Sequence, residues 1–223
     1  MNRTDAYAKT KYVGPTYKLA IYHTVKRILD IVLSIAGLII CMPLLGAIAL
    51  MIKLEDPSGP ILFRQVRNGR DGTRFTLFKF RTMAPDAEQW LRADPALLRK
   101  YREGNYKLEP HEDPRMTRVG LYLRKISLDE LPQLLNVLLG EMSLVGPRPV
   151  VDEELLEYKD QASLFLSVKP GITGYWQVAG RSAVGYPKRV HIELRYVRER
   201  STWLDIKILF LTVKVVFLRR GAY

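Results

Sequence analysis

The stretch IVLSIAGLIICMPLLGAIALMI, Ile31 to Ile52, contains no charged residue. As a helix it would extend roughly 33 Å, about the thickness of one bilayer core. A simple transmembrane helix is the first reading, and two features argue against it. Pro43 falls near the middle, where a proline breaks or kinks a helix. Both flanks are basic: residues 1–27 carry Arg3, Lys9, Lys11, Lys18, Lys26 and Arg27 against Asp5 alone, and residues 58–84 carry Arg64, Arg67, Arg70, Arg74, Lys79 and Arg81 against Asp71. Under the positive-inside rule both ends belong in the cytoplasm. A re-entrant pair of arms, residues 31–42 and 44–52, about 18 and 14 Å long, satisfies that demand. Its cost is freed backbone at Pro43, which needs a partner. A spanning helix and a buried globular helix are the competing readings.

Outward from that run, residues 1–27 interleave the cations with Tyr7, Tyr12, Tyr17 and Tyr22, the pattern of a basic aromatic arm on an anionic phospholipid surface. No small-residue cleavage site follows the apolar run, so a signal peptide is disfavoured. The whole chain carries a formal charge of +12 over 223 residues, which points to an anionic partner, and its 48% hydrophobic content suffices for a core and excludes a disordered chain. Cys41 is the only cysteine, so no intrachain disulfide forms, and His23, His111 and His191 are too scattered for a zinc pattern.

Beyond the run, Ile61-Leu62-Phe63 and Phe75 to Phe80 read as short strands separated by Asn68-Gly69 and Asp71-Gly72, a β-hairpin delivering Lys79 and Arg81 at its end. Residues 86–118 read as one or two exposed helices. Their acidic Glu109, Glu112 and Asp113 could hold a metal, but a solvated loop suits them better. Ser127 to Leu134 then places Asp129 and Glu130 at a helix start, with Leu131, Leu134, Leu135 and Leu138 on one face and Gly140 as the stop. Two registers compete: a capping box from Ser127 to Glu130, or Asp129 as the cap with Pro132 just inside. In both, the helix dipole favours the ionised carboxylates, and a plain capping role remains open.

In Val145-Gly146-Pro147-Arg148-Pro149 two prolines stiffen the segment that aims one guanidinium, suited to phosphate or to a structural turn. Lys169 to Ser182 is glycine-punctuated, with Trp176 as a stacking face and Arg181 as a charge for a nucleotide or sugar; a plain hairpin is the alternative. From Trp203 to Arg220 the chain is apolar, with Lys207 and Lys214 on one helical face, fitting either a helix resting on lipid or one packed on a core.

Five ordered stretches carry a resemblance: Lys26-Arg27-Ile28-Leu29-Asp30, Lys79-Phe80-Arg81-Thr82-Met83, Leu123 to Gln133, Val145 to Pro149, and Lys169-Pro170-Gly171-Ile172-Thr173-Gly174. Together they resemble the bacterial sugar transferases, the small monotopic phosphoglycosyl transferases that start exopolysaccharide and O-antigen units. The resemblance implies transfer of hexose-1-phosphate, galactose or glucose, from a UDP-hexose to undecaprenyl phosphate with release of UMP. It also implies magnesium and a catalytic domain on the cytoplasmic face of the bacterial inner membrane. By the same resemblance Asp129 is the nucleophile that forms a covalent phosphosugar intermediate and Glu130 helps hold Mg2+. Lys79, Arg81, Arg124 and Arg148 are then the candidates for binding substrate phosphate.

Two departures from the family pattern stand out. Met42-Pro43 occupies the place of the Ser-Pro found at the membrane bend of many relatives, and the resemblance is to the short form without an N-terminal membrane bundle. The expected fold is α+β and mostly helical: a basic arm (1–27), a re-entrant membrane helix bent at Pro43 (28–57), and a catalytic domain (58–223) with a small β-hairpin and amphipathic surface helices. A conventional glycosyl transferase releasing UDP is the rival enzyme. A basic membrane-tethered nucleic-acid or scaffold protein is the rival of another class, although nothing here resembles a nucleic-acid-binding signature. Oligomeric state is not readable.

Overall fold

A computed structural model of the chain describes residues 16–104, 108, 111–180 and 184–217. Its elements in order are α1 (Thr16–Glu55), β1 (Leu62–Asn68), β2 (Arg74–Phe80), α2 (Ala87–Ala93), α3 (Pro95–Glu103), α4 (Arg118–Lys125), α5 (Gln133–Leu139), β3 (Ser143–Val145), α6 (Asp152–Leu155), α7 (Ala162–Phe165), β4 (Gly171–Thr173), α8 (Tyr175–Ala179), α9 (Lys188–Glu199) and α10 (Thr202–Phe217). This is the expected mostly helical α+β architecture, and the hairpin is present as an antiparallel pair from Leu62↔Phe80 to Asn68↔Arg74. The first strand runs further than its apolar residues suggest. Its extra residues, Arg64 to Asn68, pair with Phe78 to Arg74 across a turn that uses positive φ at Asp71 and Gly72.

α1 carries the whole apolar run. It is one helix of 40 residues that passes through both the expected end of the arm at residue 27 and Pro43. A proline removes one backbone hydrogen bond and crowds the carbonyl four residues back, here Ile39, but long apolar segments on either side sustain the helix. Residues 1–15 of the expected arm lie outside the described residues. Leu19–Glu55 is long and apolar enough to cross a membrane, and only 11% of its most apolar window is buried in the protein.

Charged residues tie α1 to the rest of the chain at both ends. Near its start, Lys26 Nζ reaches Asp205 on α10 at 2.7 Å and the Val145 carbonyl at 2.8 Å. Arg27 donates to the Val137 and Leu138 carbonyls at the end of α5. Asp30, buried, accepts from Ser143 Oγ and the Leu144 N–H. At the other end, Glu55 accepts from the Arg118 and Val119 N–H groups and so caps α4. Ile48 and Ile52 pack with Phe80 and Leu123. Between these attachments Ile39, Ile40, Met42 and Leu44 are exposed.

Contact between β2 and α5 positions the turn that carries Asp129 and Glu130. Phe75 and Leu77 share a face of β2 and pack with Val137 of α5 and Met142. Asn136, fully buried, works on the edge of β2: its Nδ2 donates to the Thr76 carbonyl at 2.7 Å and its Oδ1 accepts the Phe78 N–H at 3.1 Å. α5 is therefore locked in register against β2. Since strand side chains alternate, Lys79 lies on the same face as Phe75 and Leu77, toward the residues that lead into α5.

Candidate active site

Asp129 and Glu130 lie on a 3-10 turn, Leu128–Glu130, in front of α5. Neither expected capping register forms. Ser127 takes a left-handed conformation (φ 58°, ψ 24°) without a side-chain cap, and Pro132 occupies the N-cap of α5. Capping signals are local, whereas here the turn is set by the packing of Leu128 beside Leu123 and Ile48. Gly140 ends α5 at φ 84°, as its position suggests.

Lys79 Nζ pairs with Glu130 Oε1 at 2.7 Å, and Arg148 Nη1 stands 3.5 Å from the same oxygen. Arg124 Nε donates to Thr82 Oγ1 at 3.1 Å, and its charge acts on Asp129. Asp129 is 7% exposed. Burial pushes its carboxyl above the usual range, as does Glu130, while Lys79, Arg124 and Arg148 pull it down. For Asp129 this reverses the expectation of a dipole-favoured, readily ionised carboxylate, because burial outweighs the field of a helix of seven residues. Burial holds Lys79 below the usual lysine range, and the attraction of Glu130 opposes that shift without cancelling it. Arg67, Gln133 and Gln177 join Lys79, Glu130 and Arg148 in lining one pocket. Four of the expected phosphate and catalytic positions thus converge around Asp129: Glu130, Lys79, Arg124 and Arg148.

Other expected residues lie elsewhere. Arg81 is buried and turned to Asp56, pairing its two terminal nitrogens with the Asp56 carboxylate and carbonyl. These contacts fasten the end of α1 to β2. Trp176 is 3% exposed, donates Nε1–H to the Val184 carbonyl, and lies between the guanidinium groups of Arg189 at 4.4 Å and Arg148 at 5.8 Å. Buried and beside two arginines, the ring presents no open face for a base or sugar. Arg181 lies outside the described residues, as does Glu109. Asp113 is not solvated but grips Arg115 through both oxygens at 2.7 Å.

The glycines of the two proline-rich segments serve each other. β3 and β4 pair in parallel, Ser143↔Gly171 and Val145↔Thr173. A Cβ on Gly171 would fall 2.0 Å from the Gly146 nitrogen, and one on Gly174 2.1 Å from the Gly146 carbonyl oxygen. These glycines let backbone approach backbone, and the paired segments bring Arg148 and Gln177 to one pocket. Sequence reading missed Arg67, Gln133 and Gln177. Arg67 had a usable signal in its strand, just before the end of β1, but glutamines inside helices carry none.

Among the described residues no three His, Cys, Asp or Glu side chains come together to hold a metal. Two adjacent carboxylates beside a cation-lined pocket suit an ion that completes its shell with substrate phosphates and water, which is how Mg2+ is usually bound.

The chain matches the model of the bacterial sugar transferase family over residues 21–219. It belongs to that family. It is 48% identical over 201 residues to an undecaprenyl-phosphate galactose phosphotransferase of Salmonella typhimurium, covering 89% of this chain and 41% of that protein. Identity is 41% over 206 residues to the UDP-glucose:undecaprenyl-phosphate glucose-1-phosphate transferase of Escherichia coli, covering 89% and 41%. Against the exopolysaccharide production protein ExoY of Sinorhizobium fredii it is 42% over 202 residues, covering 89% of this chain and 88% of that protein. The chain therefore spans about two fifths of the longer relatives and most of the shorter one. Membership of this membrane-associated family and the exposed apolar length of α1 together give a membrane location.

Proposed function

We propose that this bacterial sugar transferase moves hexose-1-phosphate from a UDP-hexose to undecaprenyl phosphate, through a covalent intermediate on Asp129, with release of UMP. The observation that carries the proposal is the convergence of Lys79 and Arg148 on Glu130 Oε1, all three lining one pocket, with the buried Asp129 next to Glu130 in the same turn. The names of relatives support the same transfer, with galactose or glucose as the sugar.

In the first step an Asp129 carboxylate oxygen bonds to the sugar-bearing phosphorus. The bond from that phosphorus to the bridging oxygen breaks, and its electron pair leaves with UMP. In the second step a phosphate oxygen of undecaprenyl phosphate attacks the same phosphorus, and Asp129 departs as a carboxylate. Lys79, Arg124 and Arg148 draw Asp129 toward its ionised form and offset the charge gathering on the phosphoryl oxygens. Burial strips Asp129 of water, which leaves a weakly solvated oxygen to attack. A magnesium ion held by Glu130 and the diphosphate would supply Lewis-acid neutralisation of the leaving group.

The membrane arrangement belongs to the same proposal. Both ends of α1 attach to one catalytic domain while Ile39, Ile40, Met42 and Leu44 stay exposed, which supports a re-entrant helix bent at Pro43 without interruption and with both ends on the cytoplasmic face of the inner membrane. α10 packs Asp205 and Ile208 inward and exposes Trp203, Lys207, Phe210 and Lys214, so it joins both expected roles: one face on the core, the other toward anionic phospholipid.

The test is nucleotide release from the full chain in lipid, with Mg2+, undecaprenyl phosphate and a panel of UDP-hexoses. UMP, lost in Asp129→Asn, is expected. UDP would instead mean transfer of the sugar without its phosphate and would remove the role given to Asp129.

A further inference from the structure

Behind the pocket, α9 contributes a buried cluster outside the family-like stretches. Pro147 and Pro149 have no N–H, so the Arg148 N–H is the only backbone donor in the segment Pro147-Arg148-Pro149. That donor is taken by Glu193: Oε1 accepts it at 2.9 Å. The other Glu193 oxygen accepts from Tyr158 Oη and from Arg189 Nε, the latter at 3.2 Å. Arg189 continues to Glu154 at 3.5 Å, and Glu154 to Arg67 Nη1 at 3.2 Å. Arg67 Nη1 returns to the Pro149 carbonyl at 3.4 Å, closing the circuit on the same segment. Glu193 is 1% exposed, and the buried Trp176 ring packs near both Arg189 and Arg148.

We infer that Glu193 is a positioning residue for Arg148, fixing the backbone from which the guanidinium reaches the substrate phosphate. The inference rests on the proposed role of Arg148 at that phosphate. Two arginines and two glutamates balance in the cluster, so it does not itself draw in an anion. Its held atoms are those that decide where Arg148 points: the Arg148 N–H and the Pro149 carbonyl. A long side chain on a loosely held segment would spend entropy on each binding event, and the prolines with Glu193 remove that cost beforehand.

The experiment is a double-mutant cycle on the affinity of the full chain in detergent for inorganic diphosphate with Mg2+, using Arg148→Ala, Glu193→Gln and the double variant, with thermal melts of each. Glu193→Gln keeps the volume but cannot satisfy Arg148, Tyr158 and Arg189 together. Its expected effect is roughly five- to tenfold weaker diphosphate binding in the wild-type background, and no further loss once Arg148 is alanine. Tyr158→Phe, which removes one donor to Glu193 with little change in volume, gives a smaller loss of about twofold with the same dependence on Arg148. Equal losses in both backgrounds would show a merely structural role and overturn the inference, as would unchanged binding in Glu193→Gln or a wild type with no affinity for diphosphate. UDP in place of UMP in the release assay would overturn the reaction proposed above while leaving the cycle readable on its own terms.

Discussion

Two clusters of basic and acidic side chains meet at Arg148, and they differ in what surrounds them. In front, Asp129 and Glu130 face Lys79, Arg124 and Arg148, one cation in excess, with Glu130 and Arg148 each 24% exposed. Behind, Arg67 and Arg189 match Glu154 and Glu193 in number, and Arg189 and Glu193 are 4% and 1% exposed. The same residue types make a site where charge is unbalanced and water can enter, and a brace where charge is balanced and water is shut out. Shifted titration alone does not separate them, because burial perturbs both.

The largest expected effect tests the front cluster. Asp129→Asn should reduce turnover on the order of a thousandfold or more while leaving the fold intact. Because burial raises the Asp129 carboxyl in the folded chain, the folded state keeps a proton that the unfolded chain releases, so stability falls as pH rises through that window. Asn carries no such penalty. The variant should melt above wild type at pH 8, and the difference should vanish as pH falls below the ordinary aspartate range. A lower melting temperature at pH 8 would contradict the burial argument.

The second effect belongs to the brace. Arg189→Met leaves Glu154 and Glu193 short of a buried partner and should cost about 3–5 kcal/mol, lowering Tm by roughly 10 °C in calorimetry. A third separates Arg81 from the front cluster, to which its position beside Lys79 in the sequence assigns it. Arg81→Met should lower Tm through the lost Asp56 contacts, yet leave turnover per folded molecule within about threefold of wild type in single-turnover UMP release. A loss of the size expected for Asp129→Asn would return Arg81 to the site. The smallest effect is set by solvent: Arg74→Ala breaks an ion pair with Asp152 whose partners are both more than half exposed, and should cost under about 0.5 kcal/mol by denaturant titration.

Asp129, Glu130, Lys79, Arg124 and Arg148 each sit in a short stretch that marks them as candidates, and the structure brings them together; the α+β fold is legible from the apolar run and the hairpin turns. What could not be read depends on partners far along the chain. Arg81 shows its purpose only with Asp56 beside it, and Glu193 only with Arg148, 45 residues earlier. In sequence, Arg189 and Glu193 are an ordinary i,i+4 pair on a highly charged helix, the mark of a solvated face, and burial reverses that reading. Trp176 was misread for the same reason: an aromatic beside glycines suggests an open platform, but Arg148 and Arg189 close it. At Pro43 the residue itself gives the local cost, while the continuity of α1 depends on its apolar flanks.

The amide of Asn136 has one more consequence. A two-stranded ribbon has open rims, and an open rim invites a neighbouring chain to add itself as a further strand. On β2 the Thr76 carbonyl and the Phe78 N–H would offer such an invitation, and Asn136 answers both from α5. One side chain thereby stands in for a third strand and keeps that rim from becoming a seed for aggregation.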